Sequence, residues 1–415
     1  MSDSPPRDSA RAGRPAPLGG PELVEGPPEL APPLRILMGP GPSNVHPRVL
    51  RAMATPVIGH LDPEFLRITD ATMALLRYAF QTQNRLTLPV SGTGSAGMEA
   101  AFCNIVEPGD KVLICVAGLF GERMCDVAAR CGAQVARVEV EWGRIIEPEQ
   151  VEAALKQESA KVVAIVQAET STGAWQPLEE IARIVHDHGA LFLVDAVTSL
   201  GGIPVNVDRV GIDGCYSGTQ KCLSCPPGLA PITFNDRAVE VIHRRETKVQ
   251  SWYLDMTMVE RYWGEERLYH HTAPITAIYG LYEGLRLIHE EGLEAQFARH
   301  QRNGDALHVG LMAMGLRLGA QEGHWLPMLT SVLLPEGVDD AALRREMLTE
   351  YNLELGGGLG QLKGKAWRIG LMGHSCSEEN VLYALSVIER ALREVGVMVP
   401  EGIAVQRALA RLEMG

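Results

Sequence analysis

The chain has 415 residues, 46% of them hydrophobic and 21% charged, with a mean hydropathy near zero, the balance of a globular protein long enough for two domains. Its net charge of −13 excludes the broad basic face that nucleic acid or an anionic membrane would select. No apolar run approaches the ~20 residues of a membrane-spanning helix. The eight cysteines lie mostly in apolar runs behind no secretory leader, the usage of a reducing cytoplasm.

Residues 1–34 are rich in Pro, Gly and Ala and lack aromatic side chains, which predicts a disordered tail. Arg7, Arg11 and Arg14 invite a targeting helix, but the prolines and Glu22, Glu25 and Glu29 interrupt one. From residue 86 short β-rich runs alternate with helical patterns: LTLPV then SAGMEAAFCNIV, KVLICVA then GERMCDVAARCG, AQVARVEV then PEQVEAALKQ, KVVAIVQAE then PLEEIARIVHDHG, followed by ALFLVDAV, GCYSGT and LAPITF. The alternation predicts an α/β fold with a mostly parallel sheet covered on both faces. Sites in such sheets open beyond the carboxyl ends of the strands. A large domain is expected over 35–295, with its segment 35–50 contributing to the site. A long helical pattern over 276–315, with Gly292 as its bend or break, leads into a smaller α+β domain over 296–395 and an extension over 396–415.

The glycine-rich GTGSAG at 92–97 follows an apolar run and opens a helix, the context of a dinucleotide fingerprint. That reading needs an acid closing the next strand, and KVLICVAGLFG holds none before Glu122. What survives is a turn and helix N-terminus able to bind one phosphate, with Thr93 and Ser95 offering hydroxyls; the alternative is glycines serving only a tight turn. Asp195 closes the apolar run ALFLVD, where a carboxylate needs a cationic or hydrogen-bonding partner or caps a turn. Lys221 follows one strand later, so both strand ends can share a cleft. Cys222 and Cys225 form a C-x-x-C, but no second pair stands at zinc spacing and two prolines follow Cys225, which favours compact apolar fillers. A phosphate turn, a carboxylate and a lysine on one sheet edge are the parts needed to hold pyridoxal 5'-phosphate.

The blocks GPGPSNVHPRVLRAM (39–53), SGTGSAGMEAA (91–101), AETSTGAWQP (168–177), VDAVTSLGG (194–202), YSGTQKCLSCPPG (216–228), YHHTAP (269–274) and WRIGLMG (367–373) occur in this order. In them the chain resembles the class V, fold-type I aminotransferases, nearest to the alanine–glyoxylate, serine–pyruvate and serine–glyoxylate transaminase group. The resemblance implies a seven-stranded, mostly parallel sheet in the large domain. It makes Lys221 the lysine that bonds the cofactor, Asp195 the partner of the pyridinium nitrogen and Phe120 the ring that stacks on it. Thr93, Gly94, Ser95 and Gln220 would meet the phosphate, and Thr170 would sit near the ring oxygen and the substrate. Tyr269 and Thr272 would reach the phosphate of the other subunit, which implies a homodimer with shared active sites. Arg368 would bind the substrate α-carboxylate, for which a guanidinium offers a fixed fork, and the backbone at Gly41 would line that pocket.

The activity so implied is ping-pong transfer of an amino group from alanine or serine to glyoxylate or pyruvate. The alternatives are the ureidoglycine–glyoxylate transaminases, which carry Gln and Asn where this chain has His60 and Tyr269, and an NAD-dependent dehydrogenase, which rests on GTGSAG alone. A cysteine desulfurase would need a nucleophilic cysteine before Arg368, whereas Cys376 lies after it.

Overall fold

A computed structural model describes residues 29–414. Most of the tail expected over 1–34 therefore lies outside the described residues; 29–34 are exposed and carry no regular structure.

The apolar runs form the strands β1 (Leu86–Ser91), β2 (Lys111–Val116), β3 (Gln134–Glu139), β4 (Val162–Val166), β5 (Leu191–Asp195), β6 (Gly214–Tyr216) and β7 (Leu229–Phe234). They assemble into one sheet in the order β1-β7-β6-β5-β4-β2-β3, in which β7 is antiparallel to both of its neighbours and the other pairs are parallel. Every residue of β4 and β5 is buried, which is why VVAIV and LFLVD are continuous apolar runs without alternation. The fold is the mostly parallel, seven-stranded α/β architecture expected.

The helical pattern at 276–315 divides at Gly292 into helices Ile275–Glu291 and Leu293–Ala313. Gly292 sits at φ 85°, a conformation that disfavours any residue with a Cβ. The second of these helices packs its Ala306, Leu307 and Leu311 into a separate apolar core with Trp367, Ile369 and Leu385. That core is built on a four-stranded sheet containing Leu329–Leu333 and Ala366–Gly370. Ile36–Leu37 pairs in parallel with Leu353–Glu354, and Met38 is buried in the same core. The segment that follows, from Gly39, is thereby carried from the second core toward the edge of the large sheet.

The extension over 396–415 was assigned no element in the sequence, yet it contains helix Ile403–Glu413. Its buried residues Ala404, Ala408 and Leu412 recur every four positions, so one face meets helix Leu293–Ala313. The approach is close: a Cβ at Gly310 would lie 2.4 Å from Leu385 and 3.1 Å from the Ala404 carbonyl oxygen. Glu389 is buried and accepts from the backbone N–H of Gly402 at 2.6 Å and of Ala404 at 3.1 Å, so it caps this helix from outside. Glu389→Ala is expected to lower stability by about 1–2 kcal/mol. Urea unfolding measures the loss, and catalytic rates should be unchanged.

Candidate active site

Asp195 ends β5, 3% exposed, beside Val166 on one neighbouring strand and Tyr216 on the other. Its Oδ1 accepts from the Val197 N–H at 2.8 Å, while its Oδ2 and the Tyr216 hydroxyl are buried without a hydrogen-bond partner among the described residues. Burial pushes the carboxyl up to about 6, against the pull of the Val197 N–H, of the nearby Tyr216 hydroxyl, which lies close without hydrogen-bond geometry, and of the Lys221 and Arg123 cations. A buried acceptor left open is costly, and the donor that suits it is a cationic N–H.

Asp195 lines a cavity of about 190 Å³ together with Thr93, Ser95, Phe120, Gln220 and Lys221. Gly94 and Thr170 lie on its wall as well, and Thr170 is buried. Helix Gly94–Ile105 begins here with Thr93 as its N-cap, and the Thr93 hydroxyl makes no capping bond. The first-turn N–H groups of a helix have no intrahelical acceptor and favour an anion. The glycines of GTGSAG have packing duties too. Gly92 stands at φ 149°, where a Cβ would clash with that of Ala96 at 2.5 Å, and a Cβ at Gly97 would lie 3.0 Å from Ala230 on β7. Gln220 Oε1 is another buried acceptor without a partner among the described residues.

Lys221 is 9% exposed, and its Nζ donates to the Pro40 carbonyl. Burial, then the Arg368 charge, lower its ammonium from 10.5 to about 8. The adjoining N-terminal segment is pinned to this loop by Ser43, whose N–H donates to Gln220 O at 2.9 Å and whose Oγ donates to Lys221 O at 2.9 Å. Gly41 lies at φ 101°, where a Cβ would stand 2.7 Å from Lys221 Nζ. Only glycine lets that backbone line the lysine.

Arg368 projects from strand Ala366–Gly370 and is 8% exposed. Its Nε donates to the Gly357 carbonyl at 2.8 Å, and among the described residues no carboxylate lies within ion-pair distance of it. Burial lowers the guanidinium to about 10, with the Glu169 charge opposing. The Arg368 charge thus reaches Lys221, and neither of these mostly buried cations makes an ion pair with a carboxylate among the described residues. A substrate carboxylate fits that deficit.

Tyr269 and Thr272 do not join the cavity of their own chain. Tyr269 is 60% exposed with its ring 5.3 Å from that of His60, and Thr272 is exposed. Cys222 and Cys225 are buried, their thiols turned to the carbonyls of Thr198 and Leu223 and pushed up to about 12 by burial. They are packing residues beside the lysine.

Three residues of the site were not singled out in the sequence. Arg123 lines the cavity with its guanidinium 4.8 Å from the centroid of Phe120; its place three residues on in the same helix was the available signal. Tyr216 lies opposite Asp195, a pairing that only strand register reveals. Glu169 is buried, and burial pushes it up to about 7; an acid inside QAETSTG was its signal.

A lysine, a carboxylate and a helix N-terminus converging at the carboxyl edge of a mostly parallel sheet define a fold-type I pyridoxal-phosphate enzyme. The chain matches the family "Aminotransferase class-V" over residues 37–359 and belongs to it. Its cofactor is pyridoxal 5'-phosphate, and its activity is that of an aminotransferase. It is 44% identical over 399 residues to the (S)-ureidoglycine–glyoxylate transaminase of Bacillus subtilis (strain 168), covering 92% of this chain and 96% of that one. The crystal structure of the ureidoglycine–glyoxylate aminotransferase from Bacillus subtilis superposes with a TM-score of 0.91 at 45% identity, covering 93% of this chain and 100% of that one. That of the alanine–glyoxylate aminotransferase from Nostoc sp. gives 0.87 at 50% identity, covering 88% and 97%. Among the described residues no helix is long and apolar enough to cross a membrane.

The open Asp195 oxygen has a consequence for stability. A carboxyl raised from 3.8 to about 6 binds its proton more tightly folded than unfolded. Its contribution to stability therefore falls as pH rises through that window. Without cofactor, Asp195→Asn should match the wild type near pH 4 and exceed it by on the order of 2 kcal/mol near pH 7, as urea unfolding at several pH values will measure, while binding pyridoxal phosphate more weakly.

Proposed function

We propose that this aminotransferase moves an amino group from a small amino acid, alanine or serine, to glyoxylate or pyruvate. The observation that carries the reading is Arg368, a largely buried guanidinium without a carboxylate partner among the described residues, held in the electrostatic reach of Lys221. A 2-amino acid and a 2-oxo acid share the carboxylate such a pair would take, so one site can serve both half-reactions in turn. Glyoxylate as acceptor is supported by its place in the names of the transaminases from Bacillus subtilis and Nostoc sp.. Ureidoglycine as donor is the second reading, favoured by the 44% identity to the Bacillus subtilis enzyme. Against it stands the pair His60 and Tyr269, where the resemblance read from the sequence implies Gln and Asn for that group.

Pyridoxal phosphate, when bound, supplies the electron sink that makes a proton on the donor Cα removable. Asp195 Oδ2 would hold a proton on the nitrogen facing it, and its burial keeps water from competing. Thr93, Gly94, Ser95 and Gln220 would hold the phosphate at the start of helix Gly94–Ile105, and Phe120 would cover the ring. Thr170 would stand beside the ring oxygen and the substrate, and the Gly41 backbone would close the pocket. Lys221, with its ammonium lowered to about 8, has enough of the free amine near neutral pH to take the Cα proton. Arg368 would orient the substrate by two parallel hydrogen bonds to its carboxylate. The exposure of Tyr269 and Thr272 supports a homodimer in which they complete the partner's site, and the acidic, cysteine-bearing chain supports a cytoplasmic location.

Arg368→Lys is expected to raise the KM of donor and acceptor alike by about 10–100-fold with little change in cofactor affinity. Lys221→Ala should lower turnover by at least ~10²–10⁴-fold. Steady-state rates with alanine, serine and ureidoglycine, each against glyoxylate, rank the donors; a rate confined to ureidoglycine overturns the first reading in favour of the second.

A further inference from the structure

Glu169 has an arrangement of its own just outside the cavity wall. Its Oε1 accepts from the Ser171 N–H at 3.0 Å and the Ser171 Oγ at 2.6 Å, and its Oε2 accepts from the Phe120 N–H at 3.2 Å. Ser171 Oγ in turn accepts from the Leu119 N–H at 3.1 Å. The carboxylate thus ties the turn after β4 to the first residues of helix Leu119–Arg130, whose Phe120 lines the cavity. The fit leaves no slack. A Cβ at Gly118 would lie 2.4 Å from Ser171 Oγ and 2.6 Å from Glu169 Cδ.

Every hydrogen bond that Glu169 makes here is one it accepts, so both of its oxygens are in use as acceptors. A buried carboxylate is a costly choice where only packing is needed. An amide of the same shape has one acceptor oxygen and would turn a donor toward either Ser171 or Phe120. The carboxylate is the side chain that satisfies both at once.

We propose that Glu169 is a positioning residue for the amino-transfer reaction: through Ser171 and the Phe120 N–H it fixes the height and tilt of the Phe120 ring against the cofactor. The proposal rests on the reading of Phe120 as the residue that stacks on the cofactor ring. Arg123 presses on the same ring, so its position is determined from the backbone side by Glu169 and from the side-chain side by a cation.

The test is a double-mutant cycle on the full-length protein with pyridoxal phosphate as the probe. Its dissociation constant is read by titration, and hydrogen exchange of the 118–123 amides is followed in the cofactor-free chain. Phe120→Leu alone should weaken binding roughly 5- to 10-fold. Glu169→Gln alone should do so by a similar factor and speed exchange at 119–120. Combined, the two should cost no more than about threefold beyond the larger single loss, because Glu169 acts through the ring that is already gone. Ser171→Ala, which removes the Oγ bonds to Glu169 and to the Leu119 N–H and keeps the carboxylate with its Ser171 and Phe120 N–H bonds, should give a smaller loss with the same non-additivity, and it carries the cycle if Glu169→Gln does not fold. Losses that multiply, or an unchanged constant and unchanged exchange in both the Glu169 and Ser171 variants, overturn the positioning role while leaving Phe120 as the stacking residue. An unaltered constant in Phe120→Leu overturns the stacking reading itself, and the proposal with it.

Discussion

The site is organised around a carboxylate that the protein buries and does not satisfy. Asp195 closes a wholly buried central strand, spends one oxygen on the Val197 N–H and leaves the other without a partner among the described residues. In isolation that arrangement opposes folding, because the ionised form is desolvated and only partly hydrogen-bonded. It persists because the carboxyl edge of a parallel sheet brings strand ends, loops and a helix N-terminus to one place. A cofactor with a cationic N–H and an anionic phosphate would answer both the carboxylate and the helix start.

The half of the site proposed to take the substrate carboxylate follows the same logic with the opposite sign. Arg368 comes from the second core and Lys221 from the loop after β6, and neither is neutralised by a neighbour. The Arg368 charge adds to burial in lowering the affinity of Lys221 for a proton. The segment from Gly39 to Asn44 stands between them, anchored at one end by Met38 in the second core and at the other by Ser43 on the lysine loop. The Pro40 carbonyl of this segment accepts from the amine, and Gly41 beside it leaves no space for a Cβ. Movement of the second core would therefore alter both the arginine and the backbone lining the lysine.

Packing explains features that read as chemistry in the sequence. The C-x-x-C places two thiols against carbonyls in a tight corner, where a Cβ on Gly284 would lie 2.3 Å from Cys225 Sγ. The GTGSAG turn needs its glycines for the approach of helix to sheet as well as for an anion. Conversely, Glu169 sits among residues that read as an ordinary turn, and it ties the cavity wall together.

Sequence alone determined the α/β class and the break at Gly292, and it offered Lys221, Asp195 and the glycine-rich turn as one candidate set, while Arg368 entered only through the resemblance of WRIGLMG to the family. The class, the break and Asp195 are legible from a local physical signature: a period, a breaker, and a charge closing an apolar run. Tertiary structure alone decided that Tyr216 faces Asp195, that Glu169 clamps the Phe120 turn and that residues 403–413 form a packed helix. Those depend on strand register and on contacts between segments tens to hundreds of residues apart. A hydrogen bond across 49 residues, such as Phe120 to Glu169, leaves no periodic trace in the chain, because its geometry exists only once the sheet has set the two strand ends side by side.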